Sequence, residues 1–278
     1  MMTTQRKVWF VTGASSGFGR CIVEEAISRG DRVVATARTT SALDDLAARA
    51  PDQVHVVRLD VTQPAEIERA VASAIQRFGA IDVVVNNAGF SIVGAVEETS
   101  DAELRATLEL MFFGAVAMTR AVLPHMRERR TGTIVQISSV GGIITSPGFG
   151  PYCAAKHALE ALSESLAAEV APFGIRVMIV EPGAFRTNLF GGGFRTMPAI
   201  DAYAPTVGPT RAWVVQAAGT QAGDPVKAAK AIADQVAAGA PSLRLPLGAD
   251  AVQGIRAKLA QVTADVDRTE AIAAATAI

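Results

Sequence analysis

The chain alternates between two hydrophobic rhythms. Short, near-continuous apolar runs occupy Val8 to Thr12, Arg32 to Ala37, Val54 to Leu59, Ile81 to Val85, Thr133 to Ser139 and Gly174 to Glu181. Between them lie longer stretches with apolar residues three and four apart. These are Arg20 to Arg29, Ser41 to Ala50 with Ser41 as N-cap, Pro64 to Phe78, Asp101 to Arg129, and a stretch from Pro151 through Leu159, Leu162, Leu166 and Val170. The first kind reads as strands covered on both faces and the second as helices. Their alternation predicts βαβ units and a parallel sheet. Right-handed crossovers make that sheet doubly wound, with a ligand crevice at the carboxyl ends of its strands.

After Glu181 the rhythm breaks. Pro182 to Thr220 holds six glycines and four prolines together with Phe185, Leu189, Phe190, Phe194, Tyr203 and Trp213. So long a stretch without periodicity predicts a lid, at about 183–222. Helix resumes from Asp224 to Ala238. Leu243 to Leu247 reads as an edge strand, because Pro246 cannot donate in a central ladder. Residues 249–278 form an alanine-rich helical extension. No internal repeat and no second domain is evident, so 1–278 reads as one domain of about seven strands.

Composition narrows the function classes. Half the residues are hydrophobic, 19% are charged and the formal net charge is −1. No basic excess points to nucleic acid. Cys21 and Cys153 make neither a disulfide framework nor a metal knuckle, which predicts a reducing, cytoplasmic setting. His55, His125 and His157 have no metal-ligand spacing. The first apolar run is too short for a signal sequence and enters a glycine turn. The run from Leu108 to Met118 falls short of the ~20 residues of a membrane span and reads as a buried helix, so no membrane insertion is expected.

The candidate chemistry clusters at strand ends. Thr12-Gly13-x-x-x-Gly17-x-Gly19 stands between a strand and a helix, where glycines allow close approach of a pyrophosphate to a helix N-terminus. After the second strand, Thr36-Ala37-Arg38 carries no carboxylate for a ribose; Arg38 suits a 2′-phosphate, with Ser15 assisting, or is a solvated surface arginine. Tyr152 and Lys156 are four apart on one helix, so an amine sits beside a phenol and lowers its pKa. A phenol tuned this way exchanges protons with an alcohol or carbonyl, while the Ser139 hydroxyl holds the same oxygen. Cys153, beside Tyr152, has no paired base.

Together these motifs resemble the short-chain dehydrogenase/reductase family in its compact one-domain form, over about residues 5–190 and in family order. They are the glycine turn at Thr12 to Gly19, Asp60-Val61, Asn87-Ala88-Gly89, Ser139, Tyr152 with Lys156, and Pro182-Gly183 with Thr187. Glu181-Pro-Gly-Ala-Phe-Arg-Thr187 is most similar to bacterial members related to retinol and hydroxysteroid dehydrogenases. The resemblance implies a Rossmann-type fold and hydride exchange between a nicotinamide cofactor and an apolar secondary alcohol or ketone. NADP(H) is expected over NAD(H) on account of Arg38.

By the same resemblance Ser16 and Phe18 share the pyrophosphate turn, and Asp60 and Val61 lie along the adenine. Asn87, with Ala88 and Gly89, supports the adenosine ribose region. Pro182, Gly183, Phe185 and Thr187 border the nicotinamide. Lys156 holds its ribose and acidifies Tyr152. Asp60 and Asn87 also suit turn chemistry, and Thr187 a helix cap. Substrate choice is expected at Ser91, Met111, Ile143, Phe149, Leu189, Phe190 and Trp213, although the lid aromatics also suit a core or a subunit contact.

One position departs from the family. Met111 stands where an asparagine is common, in Leu110-Met111-Phe112-Phe113-Gly114. A local helix distortion is still expected there, because Gly114 lowers helix propensity by ~1 kcal/mol. Met111 is then expected to set substrate fit and leave the chemistry working. The resemblance also implies a homodimer or homotetramer through the long helices after strands four and five, with Ala154, Ala158 and Ala161 allowing close approach. The competing expectation is a nucleotide-binding sensor or scaffold that kept the fold without turnover.

Overall fold

The computed structural model describes residues 6–190 and 194–276; the first five residues, lid positions 191–193 and the last two residues of the C-terminal extension lie outside them. The strands are β1 (Val8–Val11), β2 (Arg32–Ala37), β3 (Val54–Arg58), β4 (Val83–Asn86), β5 (Ser91–Val93), β6 (Gly132–Ile137), β7 (Ile175–Pro182), β8 (Phe194–Thr196) and β9 (Arg244–Leu247). The helices are α1 (Gly17–Ser28), α2 (Asp44–Arg49), α3 (Pro64–Phe78), α4 (Asp101–Leu108), α5 (Gly114–Arg129), α6 (Gly150–Val170), α7 (Ala204–Ala217), α8 (Pro225–Ala237) and α9 (Ala249–Ala274).

Seven strands form one sheet in the order β3-β2-β1-β4-β6-β7-β9, and every pairing in it is parallel. The chain leaves β3 at one edge and returns to β4 beside β1. The strand order therefore reverses between β1 and β4, which opens a crevice at their carboxyl ends. Alternate side chains on each strand face opposite layers. Trp9, Val11, Val33, Ala35, Val83 and Val85 pack with Val23 of α1 and Ile232 of α8. Phe10, Val34, Val84 and Ile134 pack with Ile67 of α3, Met118 of α5 and Leu166 of α6. This two-sided cover is why the strands read as unbroken apolar runs. Each large apolar side chain so buried contributes roughly 1.5–3 kcal/mol.

All seven expected sheet strands are present, with ends shifted by one or two residues. β9 takes the outer edge, where the absent N–H of Pro246 costs nothing. Ser41 does not cap a helix. A 3-10 turn spans Thr40–Leu43, buries Leu43, and delays α2 to Asp44. Asp224 does cap α8, accepting from Val226 N at 2.9 Å. The long helix after β4 is interrupted by a π-turn at Glu109–Phe113. By length and hydropathy, Asp101–Arg129 passes for a membrane span. Here Met118, Val122 and Met126 fill the core beneath the sheet instead.

Two elements inside the expected lid were not legible. α7 carries Pro205, Gly208 and Pro209, which mask a helical rhythm. The three-residue strands β5 and β8 pair in parallel as a separate two-stranded sheet; each is too short to show a period.

Candidate active site

The carboxyl ends of β1, β2, β4, β6 and β7 border a cleft of about 420 Å³. Its floor at one end is the turn between β1 and α1. Gly13 adopts φ 65° and Gly17 φ 55°, the left-handed region open to glycine. A side chain at Gly19 would meet Gly13 O at 2.4 Å, so this residue lies beneath the turn and does not line the cleft. Asn87 Nδ2 ties the turn from below, donating to Thr12 O at 2.8 Å and Gly13 O at 3.1 Å. Ser16 precedes α1 in extended conformation and makes no capping bond, so the first-turn N–H groups are left for an anion.

Gly13, Ser15, Ser16, Gly17, Phe18, Arg38, Asp60, Val61, Asn87, Ala88 and Gly89 all contribute to the wall at this end. Arg38 is exposed at the lip with no ion pair among the described residues. Asp60 uses Oδ1 to accept from Thr62 N at 3.0 Å and Thr62 Oγ1 at 2.8 Å, the turn chemistry expected of it. The other end of the wall comes from Pro182, Gly183, Phe185 and Thr187. Thr187 Oγ1 accepts from Leu189 N at 3.3 Å, which starts a 3-10 turn at Asn188–Phe190. The Phe185 ring sits 5.2 Å from that of Phe18 and links the turn to the lid.

Ser139, Tyr152 and Lys156 meet in the middle of the cleft. β6 ends at Ile137, and Ser139 Oγ accepts from Gly141 N at 3.0 Å. α6 carries the other two, one turn apart. The Lys156 Nζ lies 5.9 Å from the Tyr152 ring centroid and donates to Ile137 O at 2.8 Å. Lys156 is 5% exposed, and burial pulls its amine down to about 8, against a smaller upward pull from Glu160. Burial pushes the Tyr152 phenol up to about 12, while a hydrogen bond with Ser139 draws it back. The phenol therefore lies above its ordinary value, not below it as expected: loss of solvent outweighs the hydrogen bond with Ser139. Burial likewise lifts the Cys153 thiol to about 11, which leaves it inert as a nucleophile.

Beside this group the wall turns apolar. Phe90, Leu110, Met111, Leu189, Phe190 and Phe194 line it, with Arg195 at the mouth over the Phe90 ring at 4.1 Å and paired with Glu103 at 2.8 Å. Phe90, Leu110, Phe194 and Arg195 were missed from sequence. Phe194 and Arg195 are drawn in by the β5–β8 pairing, which no sequence signal announces. Four expected positions do not line the cleft. Ser91 is buried within β5, and Ile143 sits half-buried behind Ser139 in sequence. Phe149 packs edge-on to Tyr152 at 6.4 Å. Trp213, on α7, backs Phe190 at 5.3 Å from outside.

Met111 is buried at the π-turn, where Gly114 N donates to Glu109 O, five residues back. The expected distortion is present without the asparagine. Among the described residues no cluster of His, Cys, Asp and Glu could hold a metal ion.

Comparison with known proteins agrees with this geometry. A sequence profile described as short chain dehydrogenase matches residues 7–196. Oxidoreductase BOA17 of Botryotinia fuckeliana is 39% identical over 248 residues, covering 89% of this chain and 90% of that protein. The crystal structure of a short-chain dehydrogenase from Streptomyces avermitilis superposes with a TM-score of 0.93 at 52% identity, over 98% of this chain and 100% of that one. A short chain dehydrogenase from Burkholderia cenocepacia in complex with NADP has a TM-score of 0.74 at 26% identity, over 95% and 97% of the chains. A 3-ketoacyl-(acyl-carrier-protein) reductase from Brucella melitensis complexed with NADH has a TM-score of 0.73 at 26% identity, over 87% and 96%.

Proposed function

The chain belongs to the short chain dehydrogenase family, whose members are NAD(P)-dependent oxidoreductases, and from that premise we propose that it interconverts an apolar secondary alcohol and its ketone with a preference for NADP(H). The carrying observation is the meeting of Ser139, Tyr152 and Lys156 against an apolar wall in a cleft whose other end is a glycine turn. The residues present fit a dinucleotide. The turn leaves no room for a side chain at Gly19 and holds Gly13 at positive φ, α1 offers uncapped N–H groups, and Arg38, without an ion pair among the described residues, lines the cleft together with Ser15. When bound, the nicotinamide supplies or accepts hydride.

The chain's own residues handle the proton and the orientation. Ser139 Oγ donates to the substrate oxygen. Tyr152, protonated at neutral pH, gives its proton to that oxygen in reduction and takes it back in oxidation. Lys156, cationic below about pH 8, steadies the phenolate that results. Phe90, Met111, Leu189 and Phe190 exclude water from the carbonyl. The assembly is a homo-oligomer in a cytoplasmic setting. The rival reading is a nucleotide sensor without turnover; the presence of Ser139, Tyr152 and Lys156 in one cleft supports turnover instead.

The test is oxidation of NADPH against a panel of apolar ketones, with Tyr152→Phe as control. The variant removes the transferable proton at nearly constant volume, so turnover should fall by ~10²-fold or more while nucleotide affinity stays the same. Near wild-type turnover by Tyr152→Phe would refute the assignment.

A further inference from the structure

The apolar end of the cleft closes on a charge that the proposed chemistry does not use. Four charged side chains line the cleft among the described residues: Arg38, Asp60, Lys156 and Arg195. The first two belong to the nucleotide end, and Lys156 serves Tyr152. Arg195 is left over, at the mouth beside Phe90 and Phe194.

Its place is built from the backbone up. The β5–β8 pairing sets Arg195 opposite Ile92, and Met197 N continues the pairing by donating to Val93 O at 2.9 Å. Arg211 fastens the end of this strand: its Nη1 donates to Met197 O at 2.9 Å, and its Nη2 meets Glu98 at 2.7 Å, whose side chain is 1% exposed. The Arg195 guanidinium carbon lies 4.1 Å from the Phe90 ring centroid, a favourable seat for a cation. Phe90 belongs, with Ile92 and Met197, to the apolar cluster against which Tyr152 packs. The proton donor and the cation therefore border one apolar cluster.

The guanidinium still has donors to offer. It carries five N–H groups in a planar fork. Glu103 takes Nη1 at 2.8 Å, and neither Nε nor Nη2 makes a hydrogen bond among the described residues. Nε–H and Nη2–H are the parallel pair on one edge that a carboxylate accepts from bidentately. The Arg195 side chain is 45% exposed, so its pair with Glu103 is a weak one that an incoming anion can share. A single guanidinium already shared with a glutamate suits the single charge of a carboxylate.

We propose that Arg195 is a specificity-determining residue that binds a carboxylate at the far end of the substrate, which makes the substrate an apolar chain bearing both a ketone or secondary alcohol and a remote acid. The proposal rests on the reading of Ser139, Tyr152 and Lys156 as the site of ketone–alcohol exchange. The apolar span lies along Phe90, the ketone meets Ser139 and Tyr152, and the acid held by Arg195 selects which carbon along the chain comes into register with them.

The test uses oxodecanoic acids with the ketone moved along the chain, each compared with its own methyl ester, which keeps the chain and removes the charge. At the matching ketone position the acid should exceed its ester about tenfold in kcat/KM, the size of one charge-assisted contact. Arg195→Gln, with folding checked by thermal melting, should bring the acid-to-ester ratio to about one. Glu103→Gln, which removes the negative charge beside the fork, should raise it. A wild-type ratio near one at every ketone position, or a ratio that survives Arg195→Gln, overturns the proposal. So does a ratio that falls in Glu103→Gln. An equal loss on acid and ester in Arg195→Gln leaves the ratio unmoved and is the pattern of a lid clasp alone. Turnover of the esters without preference for the acids sinks this proposal and leaves the proposed activity standing. If neither acids nor esters turn over, that activity fails, and calorimetric binding of decanoate to the protein with NADP+ decides the present question. Affinity should then fall about tenfold in Arg195→Gln; equal affinity in both proteins, or no binding to the wild type, overturns it.

Discussion

Lys156 and Arg38 illustrate how far a single residue's role is fixed by its surroundings. Burial lowers the Lys156 amine from 10.5 to about 8, so the ammonium that steadies the phenolate is present below that pH and lost above it. The rate of ketone reduction at saturating substrate should therefore be level below pH 8 and fall with rising pH above it; a profile still level at pH 9.5 would contradict the assignment. The stability term has the opposite sense. Between 8 and 10.5 the unfolded chain keeps a proton that the folded chain has released, so the cost of burying Lys156 lifts as pH rises. Arg38 is at the other extreme, exposed and without an ion pair among the described residues. A charge-assisted contact to a 2′-phosphate contributes ~1.5–3 kcal/mol, so roughly a tenfold or greater preference for NADPH over NADH in kcat/KM should follow, and Arg38→Asp should reverse it. Equal kcat/KM for the two cofactors in the wild type would count against this role.

Elements were legible where one rhythm governs them, and obscure where tertiary contacts do. The sheet strands and α3 could be placed because two-sided or one-sided burial writes itself into consecutive residues. β5 and β8 pair over three residues each, and α7 is punctuated by proline and glycine, so the lid's structure was not readable. Ser139, Tyr152 and Lys156 could be picked out by motif, but not the balance in which burial outweighs the Ser139 hydrogen bond at Tyr152. Nor could the sequence reveal the joint between α6, β7 and β9. There Arg244 meets Glu160 at 2.6 Å and also bonds Glu164 and Glu181. The Glu160 and Glu181 side chains are 5% and 1% exposed, and burial raises the Glu181 carboxyl above the usual range despite Arg244. Arg244→Met leaves two buried carboxyl groups without their cation. The loss should be about 3 kcal/mol at pH 7, the low end for a broken buried pair, because Arg244 itself is partly solvated. Glu181 then binds a proton more readily folded than unfolded, so the deficit should shrink as pH falls to 5.5. Urea midpoints at both pH values check this; an equal deficit at each would show that charge is not the cause.

Two exposed apolar surfaces of the molecule are candidates for contact with another copy. One face is formed by α4, the π-turn and α6, where Phe113 is 53% exposed and Leu104 37%. Ala154, Ala158 and Ala161 run along the same side of α6 at helical spacing, with Ala154 and Ala161 open to solvent. The other is the far half of α9, which exposes Leu259, Val262, Val266 and Ile272. The first has the small residues that let two helices approach closely, and a two-fold axis there would pair the stripe with itself. The second is a single helix whose residues 259–274 are all exposed among the described residues, so no packed neighbour widens the contact there. The protein should therefore be a dimer or tetramer at micromolar concentration by light scattering, held through α4 and α6. Ala161→Arg should reduce its mass at least to half, and should leave Tyr152 and Lys156, both more than one turn away on α6, undisturbed. Leu259→Lys should leave the mass as it is. A monomeric wild type would overturn oligomerisation altogether, and dissociation by Leu259→Lys in place of Ala161→Arg would move the interface to α9.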